Sequence, residues 1–356
     1  MENCENFAGL RVLTKAPPIA DDTLETESPM ARRRSSSGTL QRALVRIVPG
    51  GLRTLARLSR PRALALGRSV GRLGFRLASK ARTSALRNVA FAFPELDPAA
   101  RRALAIRCFE HWGAVTFDFL RCSRLDPAAV LELVTRIDGV KEHADPILAS
   151  GRGIVAVGAH LGAIDLFGRF AAARGVKLTV VTRDPDDPEF RALVKDLRES
   201  GGYQTIDRQG GAALRKLVVA LKQGEVVGIL PDQNADDLFV PFFAAPAGVA
   251  DGAAQLALRT GAAVVPAFCL RNDDDTYHIV VRPPILPDPE APDKDAEIRR
   301  ITEAFTREFE AVIRTAPEQY LWLHNRWKGA FEERNRSKWP SGHDFDVLKA
   351  RWESGA

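Results

Sequence analysis

Short apolar runs alternate with segments of helical pattern from about residue 150 onward, and this alternation constrains the fold more than any other feature. The apolar runs are Ile154–Gly158, Leu178–Thr182, Val226–Pro231, Ala263–Leu270 and His278–Val281, and the helical segments between them are 163–174, 188–199, 210–223 and 250–260. Strands that alternate with helices pack as a mostly parallel sheet whose faces the helices cover. The sequence therefore predicts an α/β fold with a mostly parallel central sheet flanked by helices.

The positive charge of the chain is concentrated in one segment ahead of this sheet. Residues 1–30 carry two basic and six acidic side chains, whereas residues 31–96 carry fifteen basic and one acidic. A localised basic segment indicates an anionic partner, such as membrane lipid, nucleic acid or an acidic carrier protein.

The patterning divides the chain into four parts. Residues 1–40 are polar and end in a basic cluster, which predicts a disordered tail. Residues 41–96 are predicted to form an amphipathic basic helical segment that associates with membranes. We assign residues 97–330 to the main domain and residues 331–356 to a C-terminal tail.

The helical pattern over 41–80 is interrupted at Gly50, Gly51 and Pro61, and its second half separates apolar from basic side chains. One face holds Leu66, Val70, Leu73 and Leu77, and another face holds Arg68, Arg72 and Arg76. Such a helix can lie in a membrane interface, and the alternative is a packed helix whose basic face is solvated. No run of about 18 uncharged apolar residues exists, so the sequence predicts no transmembrane helix. The amino terminus lacks the basic region and apolar run of a secretory signal.

Several classes of partner and cofactor are disfavoured by composition. Phe75 is the only aromatic side chain in residues 31–87, so base stacking is poorly served and we predict no nucleic-acid partner. The four cysteines form no C-x-x-C pair, which argues against a zinc ribbon or a disulfide framework. The six histidines show no metal-ligand spacing, so we predict no metal and no cofactor.

The segment from Gly158 to Asp165 is the strongest candidate site. An apolar strand ends at Gly158 and a helix is predicted to begin near Ala163, which places His160 at the carboxyl end of a strand, where sites of parallel sheets gather. Asp165 could meet His160 if the histidine lies in the turn and the aspartate in the first helical turn. A histidine held by a carboxylate acts as a general base, and a structural histidine is the alternative. No Ser, Thr or Cys lies in this segment, so direct attack by an activated substrate hydroxyl is simpler than a covalent enzyme intermediate.

Further candidates follow other predicted strands. Arg183 could clamp a phosphate with its bidentate fork, or pair with a neighbouring acid. Asp232 could bind Arg183, a sugar hydroxyl or an acceptor amide, or it could be an ordinary turn residue. Phe242 and Phe243 could line an acyl channel, although packing in the core is the commoner role of such a cluster.

Segments spread over residues 85–328 resemble the lysophospholipid acyltransferase superfamily, and within it the late acyltransferases of lipid A biosynthesis. The matching segments are Arg87-Asn88 with Phe93-Pro94-Glu95, His160-x4-Asp165, Thr182-Arg183, Pro231-Asp232-Gln233 with Phe239 to Phe243, Ala262 to Pro266, and Pro317 to Lys328. Their order and spacing together make the resemblance specific, although each segment alone is weak evidence.

The resemblance implies an acyltransferase that uses His160 with Asp165 to move a fatty acyl group from acyl carrier protein or acyl-CoA to a glycolipid hydroxyl. It also implies substrate binding by Arg183, Asp232, Gln233, Phe242 and Phe243, an anionic membrane lipid as acceptor, and a peripheral position on the cytoplasmic face of the inner membrane. A lysophospholipid or phosphatidylinositol mannoside is the alternative acceptor. A non-catalytic lipid-binding protein on the same fold is the alternative function.

The chain departs from the family pattern at three places. An arginine-rich helix stands where the family usually has an apolar N-terminal helix. Ala244 follows the Phe-Phe pair where glycine is normal, and Tyr320 stands where tryptophan is usual. These departures concern the membrane and the acceptor more than the reaction.

Overall fold

The computed structural model describes residues 58–122, 125–183, 187–207 and 211–354. The predicted disordered tail over 1–40, and the first part of the predicted helical segment over 41–57, lie outside the described residues. The helices are α1 (Arg60–Leu77), α2 (Ser79–Ala92), α3 (Pro98–Cys122), α4 (Pro127–Glu132), α5 (Asp145–Ala149), α6 (Ile164–Ala173), α7 (Pro188–Glu199), α8 (Gly211–Lys222), α9 (Gly252–Thr260), α10 (Lys294–Thr315) and α11 (Phe345–Ser354). The strands are β1 (Val134–Asp138), β2 (Ile154–Val157), β3 (Leu178–Thr182), β4 (Gln204–Asp207), β5 (Val226–Ile229), β6 (Leu238–Phe242), β7 (Ala245–Val249), β8 (Ala263–Arg271) and β9 (Tyr277–Val281).

A seven-stranded sheet in the order β1-β9-β8-β2-β5-β3-β4 forms the centre of the fold. The strands from β8 to β4 in this order are mutually parallel, whereas β9 runs antiparallel to β8 and carries β1 parallel to itself. A separate antiparallel hairpin pairs β6 with β7. The predicted α/β class with a mostly parallel sheet is therefore confirmed for the described residues.

The inner strands are mostly apolar because both faces of the sheet are covered. Successive residues point to opposite faces, so Ile154 joins the core beneath α6, whereas Val155 and Val157 join the core shared with α8, α9 and α10. The carboxyl ends of the parallel strands are left open between these helices.

Helix α1 is one continuous helix, and Pro61 lies in its first turn instead of interrupting it. A proline there costs no hydrogen bond because the first N–H groups of a helix have no intrahelical acceptor. The glycines of α1 form its buried face against α3: a Cβ at Gly67 would lie 2.6 Å from the Gly113 carbonyl oxygen, and a Cβ at Gly71 would lie 2.1 Å from that of Phe109. The two backbones can approach this closely only because side chains are absent at the contact.

The apolar face of α1 points away from the protein. Leu66, Val70, Leu73 and Leu77 are 44–73% exposed. Two of the three arginines also pair with acidic residues of the fold: Arg68 with Asp275, and the largely exposed Arg72 with Glu110. Helix α1 is packed on α3 and Arg72 and Arg76 remain exposed, as the alternative of a packed helix with a solvated basic face expects, but the stripe of Leu66, Val70, Leu73 and Leu77 is exposed as well. Within the described residues, no helix has the length and apolar character needed to cross a membrane.

Residues 331–354, the described part of the segment assigned to a C-terminal tail, pack on the main domain. A short 3-10 helix, Glu333–Lys338, leads to α11. Trp352 of α11 is buried and contacts the rings of Phe91 and Trp327.

Candidate active site

A cavity of about 840 Å³ opens at the carboxyl ends of the parallel strands and holds several of the predicted site residues. His160, Asp165, Arg183 and Gln233 all line it. Cavities of this size hold small-molecule ligands in other proteins. The cavity is the candidate active site.

The cavity reaches both faces of the sheet. Val180 and Val181 are consecutive residues of β3, and Gly228 and Ile229 are consecutive residues of β5, so each pair points to opposite faces. All four line the cavity and are half-buried although they lie in inner strands.

Small side chains create the space beneath α6. Ala156 of β2 pairs in register with Gly228 of β5, and Ala267 lies on β8, which flanks β2 on its other side. All three line the cavity together with the apolar side chains of Leu178 and Phe167. This part of the cavity is a groove lined by small and apolar side chains.

His160 lies in the turn between β2 and α6, as the sequence predicts. Gly162 permits the turn: its φ is +70°, and a Cβ there would lie 2.0 Å from the carbonyl oxygen of Cys269. The imidazole is 21% exposed. It therefore faces the cavity from a fixed backbone.

Asp232, and not Asp165, is the carboxylate that holds His160. The Nδ1 atom of His160 lies 2.6 Å from Asp232 Oδ1, and the His160 backbone N–H donates to Asp232 Oδ2 at 2.8 Å. The Asp232 side chain is 3% exposed. With Nδ1–H donating to Asp232, the Nε2 atom is left as an acceptor, and Gln233 Nε2 lies 3.1 Å from it.

The sheet register explains this pairing. Val157 and Ile229 are paired across the neighbouring parallel strands β2 and β5. His160 and Asp232 each stand three residues beyond that paired position, so the two side chains meet above the same sheet edge. The interpretations of Asp232 as a partner of Arg183 or as an ordinary turn residue do not describe its contacts.

Asp165 lies in the first turn of α6, as expected, but its hydrogen bonds go elsewhere. Its Oδ1 accepts from Arg198 Nε at 3.1 Å and from the Tyr203 hydroxyl at 3.5 Å. The hydrogen bond expected between Asp165 and His160 is not among those that the described residues form. Asp165 acts on the imidazole only at longer range, where its charge favours the protonated ring.

Burial and charge shift the pKa values of His160 and Asp232 in opposite directions. Burial disfavours the imidazolium, but the Asp232 carboxylate outweighs it, so the pKa of His160 lies above its ordinary value. Burial likewise disfavours the Asp232 carboxylate, but the charge and hydrogen bonds of His160 outweigh it, so the pKa of Asp232 lies below its ordinary value. Arg326, which is 1% exposed, further lowers that pKa.

Phe242 and Phe243 lie in the aromatic core and not in the lining of the cavity. Phe242 is 1% exposed and packs beside Trp327, with the Arg326 guanidinium 5.0 Å from its ring centroid. Phe243 contacts Trp322. Phe242 and Phe243 therefore do not line this cavity, contrary to the prediction that they line an acyl channel.

Sequence reasoning missed Arg198, Tyr203 and Gly228. Arg198 and Tyr203 lie outside the matching segments, and Gly228 looks like an ordinary strand glycine until the cavity is seen beside it. No motif signal could have identified Arg198. Gly228 could have been suspected, because a glycine inside an apolar strand often marks close approach of a ligand or a backbone.

Metal and thiol chemistry have no visible support in this part of the chain. Across residues 58–122, 125–183, 187–207 and 211–354, no group of three His, Cys, Asp or Glu side chains could hold a metal ion. Cys269 lines the cavity, but burial raises the pKa of its thiol far above its ordinary value, so it is not a ready nucleophile.

Comparison with known proteins identifies relatives over most of the chain. Residues 30–329 match the family model described as bacterial lipid A biosynthesis acyltransferase. The lipid A biosynthesis lauroyltransferase of Escherichia coli K12 is 30% identical over 285 residues, which cover 78% of this chain and 89% of that protein. A phosphatidylinositol mannoside acyltransferase of Mycobacterium tuberculosis is 25% identical over 234 residues, which cover 64% of this chain and 72% of that protein.

Proposed function

The chain belongs to the bacterial lipid A biosynthesis acyltransferase family and is an acyl-transferring enzyme, and from that premise we propose its substrates and mechanism. The donor is a fatty acyl thioester of acyl carrier protein or coenzyme A, and the acceptor is a hydroxyl of a glycolipid of the lipid A precursor type. The observation that carries this proposal is the dyad of His160 and Asp232, whose histidine lines a cavity with a largely apolar wall.

His160 acts as the general base. Its Nε2 takes the proton of the acceptor hydroxyl as that oxygen attacks the thioester carbonyl carbon. The imidazolium that forms is stabilised by the buried Asp232 carboxylate, which also keeps the proton on Nδ1 beforehand. When the tetrahedral intermediate collapses, the carbon–sulfur bond breaks and the imidazolium returns its proton to the leaving thiolate.

Direct transfer is simpler than a covalent acyl-enzyme here. Cys269 is the cavity thiol, and its raised pKa leaves it protonated at neutral pH. The groove beneath α6, floored by Ala156, Gly228 and Ala267, is the proposed site of the acyl chain. The dyad also counts against a purely lipid-binding role, because a binding protein has no need of a histidine held by a buried carboxylate.

The enzyme is proposed to work peripherally on the cytoplasmic face of the inner membrane. The exposed leucines of α1 offer an apolar surface, and the described cysteines are free thiols, as expected in a reducing compartment. Phosphatidylinositol mannoside is the second candidate acceptor, supported by the mycobacterial relatives.

The test is transfer by the purified chain, with acyl-CoA or acyl carrier protein as donor and a lipid A precursor, a lysophospholipid or a phosphatidylinositol mannoside as acceptor. Mass spectrometry reads the added acyl group. His160→Ala should lower turnover roughly 100- to 10,000-fold, whereas the control His143→Ala, outside the cavity lining, should not. Equal turnover by a folded His160→Ala protein would refute the mechanism, and modification of only the phosphatidylinositol mannoside would replace the proposed acceptor.

A further inference from the structure

We propose that Arg198, held in place by Asp165, binds a phosphoryl group of the substrate at the mouth of the cavity. This inference rests on the proposed function and assigns a part of the substrate to a residue outside the family segments. It also gives Asp165 a role different from that of the carboxylate of the dyad.

The guanidinium of Arg198 is fixed on one edge and open on the other. Arg198 lies in the last turn of α7, lines the cavity and is 28% exposed. Its Nε donates to Asp165 Oδ1 at 3.1 Å. Among the described residues, no acceptor contacts its terminal Nη groups. Those N–H groups are planar, permanently charged donors, which is the geometry that matches phosphate oxygens.

Asp165 is itself anchored, so the arginine is supported from α6. The Tyr203 hydroxyl lies 3.5 Å from Asp165 Oδ1, and Tyr203 is 3% exposed. The Tyr203 ring packs so tightly on α6 that a Cβ at Gly168 would lie 2.8 Å from it. The ion pair is half-exposed, with Asp165 at 34%, and such pairs contribute little to stability. The effect of the ion pair is instead to fix the orientation of the Arg198 guanidinium.

The other cations of the cavity and the chemistry of the substrates point to phosphate. Arg183 and Arg259 are exposed and line the same cavity, so its lining carries three arginines against the single carboxylate of Asp165. Both proposed thioester donors carry phosphate on their pantetheine arm, a phosphodiester in acyl carrier protein and a diphosphate in coenzyme A, and an anionic glycolipid acceptor carries a phosphate of its own. Phosphate is therefore the shared group, and its source is left to the experiment.

Direct binding tests the site without turnover. Calorimetry compares 4′-phosphopantetheine, pantetheine and inorganic phosphate on the full chain. Phosphopantetheine should bind the wild-type protein more tightly than Arg198→Gln, by roughly 10- to 100-fold. Lys195→Gln removes the same charge from the exposed side of α7, where Lys195 pairs weakly with Glu199, and should bind as the wild type does. Equal binding by wild type and Arg198→Gln would exclude a donor phosphate.

Kinetics identify the source and the role of Asp165. Arg198→Gln should raise KM for the phosphorylated substrate with turnover changed only a few-fold. Asp165→Asn should raise the same KM, and the double variant should be no worse than Arg198→Gln alone, because both changes remove one oriented guanidinium. The effect should vanish with an acyl-N-acetylcysteamine donor if the phosphate belongs to the donor, or with a dephosphorylated acceptor if it belongs to the acceptor.

Three results would overturn the proposal. They are an unchanged KM in Arg198→Gln, a defect that persists with both phosphate-free substrates, and additive defects of Asp165→Asn and Arg198→Gln. Arg198→Lys guards against a folding defect, because it keeps the charge and should recover part of the binding while Arg198→Gln does not. Failure of transfer in the wild type, with intact phosphopantetheine binding, would refute the proposed function and leave this site standing.

Discussion

At the scale of single residues, two aspartates near His160 make different contacts, and we expect them to have different roles. Asp232 touches the ring at Nδ1, whereas Asp165 bonds Arg198 and Tyr203. We expect Asp232→Asn to lower kcat on the order of 10⁴-fold, because the amide favours the wrong tautomer and no longer stabilises the imidazolium. Steady-state kinetics of both Asp→Asn variants provide the measurement. A larger loss of kcat in Asp165→Asn than in Asp232→Asn would contradict the assignment.

The pH dependence of the reaction tests the same dyad independently. A general base must be neutral to accept a proton, so kcat/KM falls as the pH drops through the pKa of His160. Because Asp232 raises that pKa above its ordinary value, we expect the acid limb of the profile to lie above about pH 6.5. In Asp232→Asn the limb should move to lower pH, since the carboxylate that favoured the charged ring is gone. If the acid limb does not move, Asp232 does not control the pKa of His160.

Sequence reasoning identified four residues that line the cavity but expected a different carboxylate beside His160. His160, Asp165, Arg183 and Gln233 all line the cavity because each follows a strand or begins the next helix, which the apolar pattern reveals. The partner of His160 was sought along the chain, at short spacing, while the contact runs across the sheet to Asp232. Only the register of β2 with β5 connects these positions, and register is not visible in one sequence without a known strand order.

At the scale of elements, Gly228 of β5 widens the groove in which we propose that the acyl chain binds. A Cβ at Gly228 would meet Val180 at 3.4 Å and Leu178 at 3.5 Å, which are ordinary contacts, so the backbone tolerates a side chain there. Gly228→Leu should fill the groove beneath α6 and shift donor preference to shorter chains, with each methylene counting for roughly 10- to 200-fold in kcat/KM. Competition among acyl donors of graded length measures the shift.

The matched change is Gly252→Leu, on the opposite face of the sheet. Gly252 begins α9 and lines the same cavity, and a Cβ there meets nothing within 4 Å. We expect it to leave the chain-length profile unchanged. If Gly252→Leu shortens the preferred chain and Gly228→Leu does not, the acyl chain occupies the α9 side instead.

The close contact between α1 and α3 requires glycine in α1, which the apolar pattern of the sequence does not reveal. Gly71→Val would place a Cβ 2.1 Å from the Phe109 carbonyl oxygen, and we expect it to lower the free energy of unfolding by at least about 1–3 kcal/mol. Gly74→Ala is the control, since its Cβ would lie 3.6 Å from the Phe109 ring, and it should be neutral or stabilising by up to about 1 kcal/mol. Denaturant titration of both variants gives the comparison; equal stabilities would mean that the helices can separate at no cost.

At the scale of the whole molecule, the sequence predicts the inner strands and misses the edges of the sheet. The five apolar runs correspond to β2, β3, β5, β8 and β9, which lie between other strands. The two edge strands, Val134–Asp138 and Gln204–Asp207, are short, polar and largely half-buried or exposed, so they lack a continuous apolar run. The reversal of β9 also escapes prediction, because a strand that runs antiparallel to β8 is as apolar as a parallel one.

The exposed face of α1 is the surface that we propose for membrane contact. Leu66, Val70, Leu73 and Leu77 form one apolar stripe, and α1 cannot turn it inward because its glycine face is held against α3. Two of the flanking arginines, Arg68 and Arg72, are already paired with acidic side chains of the fold. We therefore expect any attraction to anionic lipid to come mainly from the other basic residues of the segment over 31–96, and to be weaker than the sequence alone predicts.

We expect the full chain to float with anionic liposomes, and to keep part of that binding at high salt, because burying a leucine side chain contributes up to about 1.5–3 kcal/mol without any charge. Replacing Leu66, Leu73 and Leu77 with serine should abolish the salt-resistant part. The control replaces Val219 and Leu286, which are exposed by similar fractions elsewhere on the surface, and should bind as the wild type does. Electrostatic attraction near an anionic surface is worth about 1 kcal/mol per basic residue and is screened within a Debye length, so binding that disappears completely with salt would assign attachment to charge alone. Unchanged flotation of the triple serine variant at both salt concentrations would remove the membrane role from this face of α1.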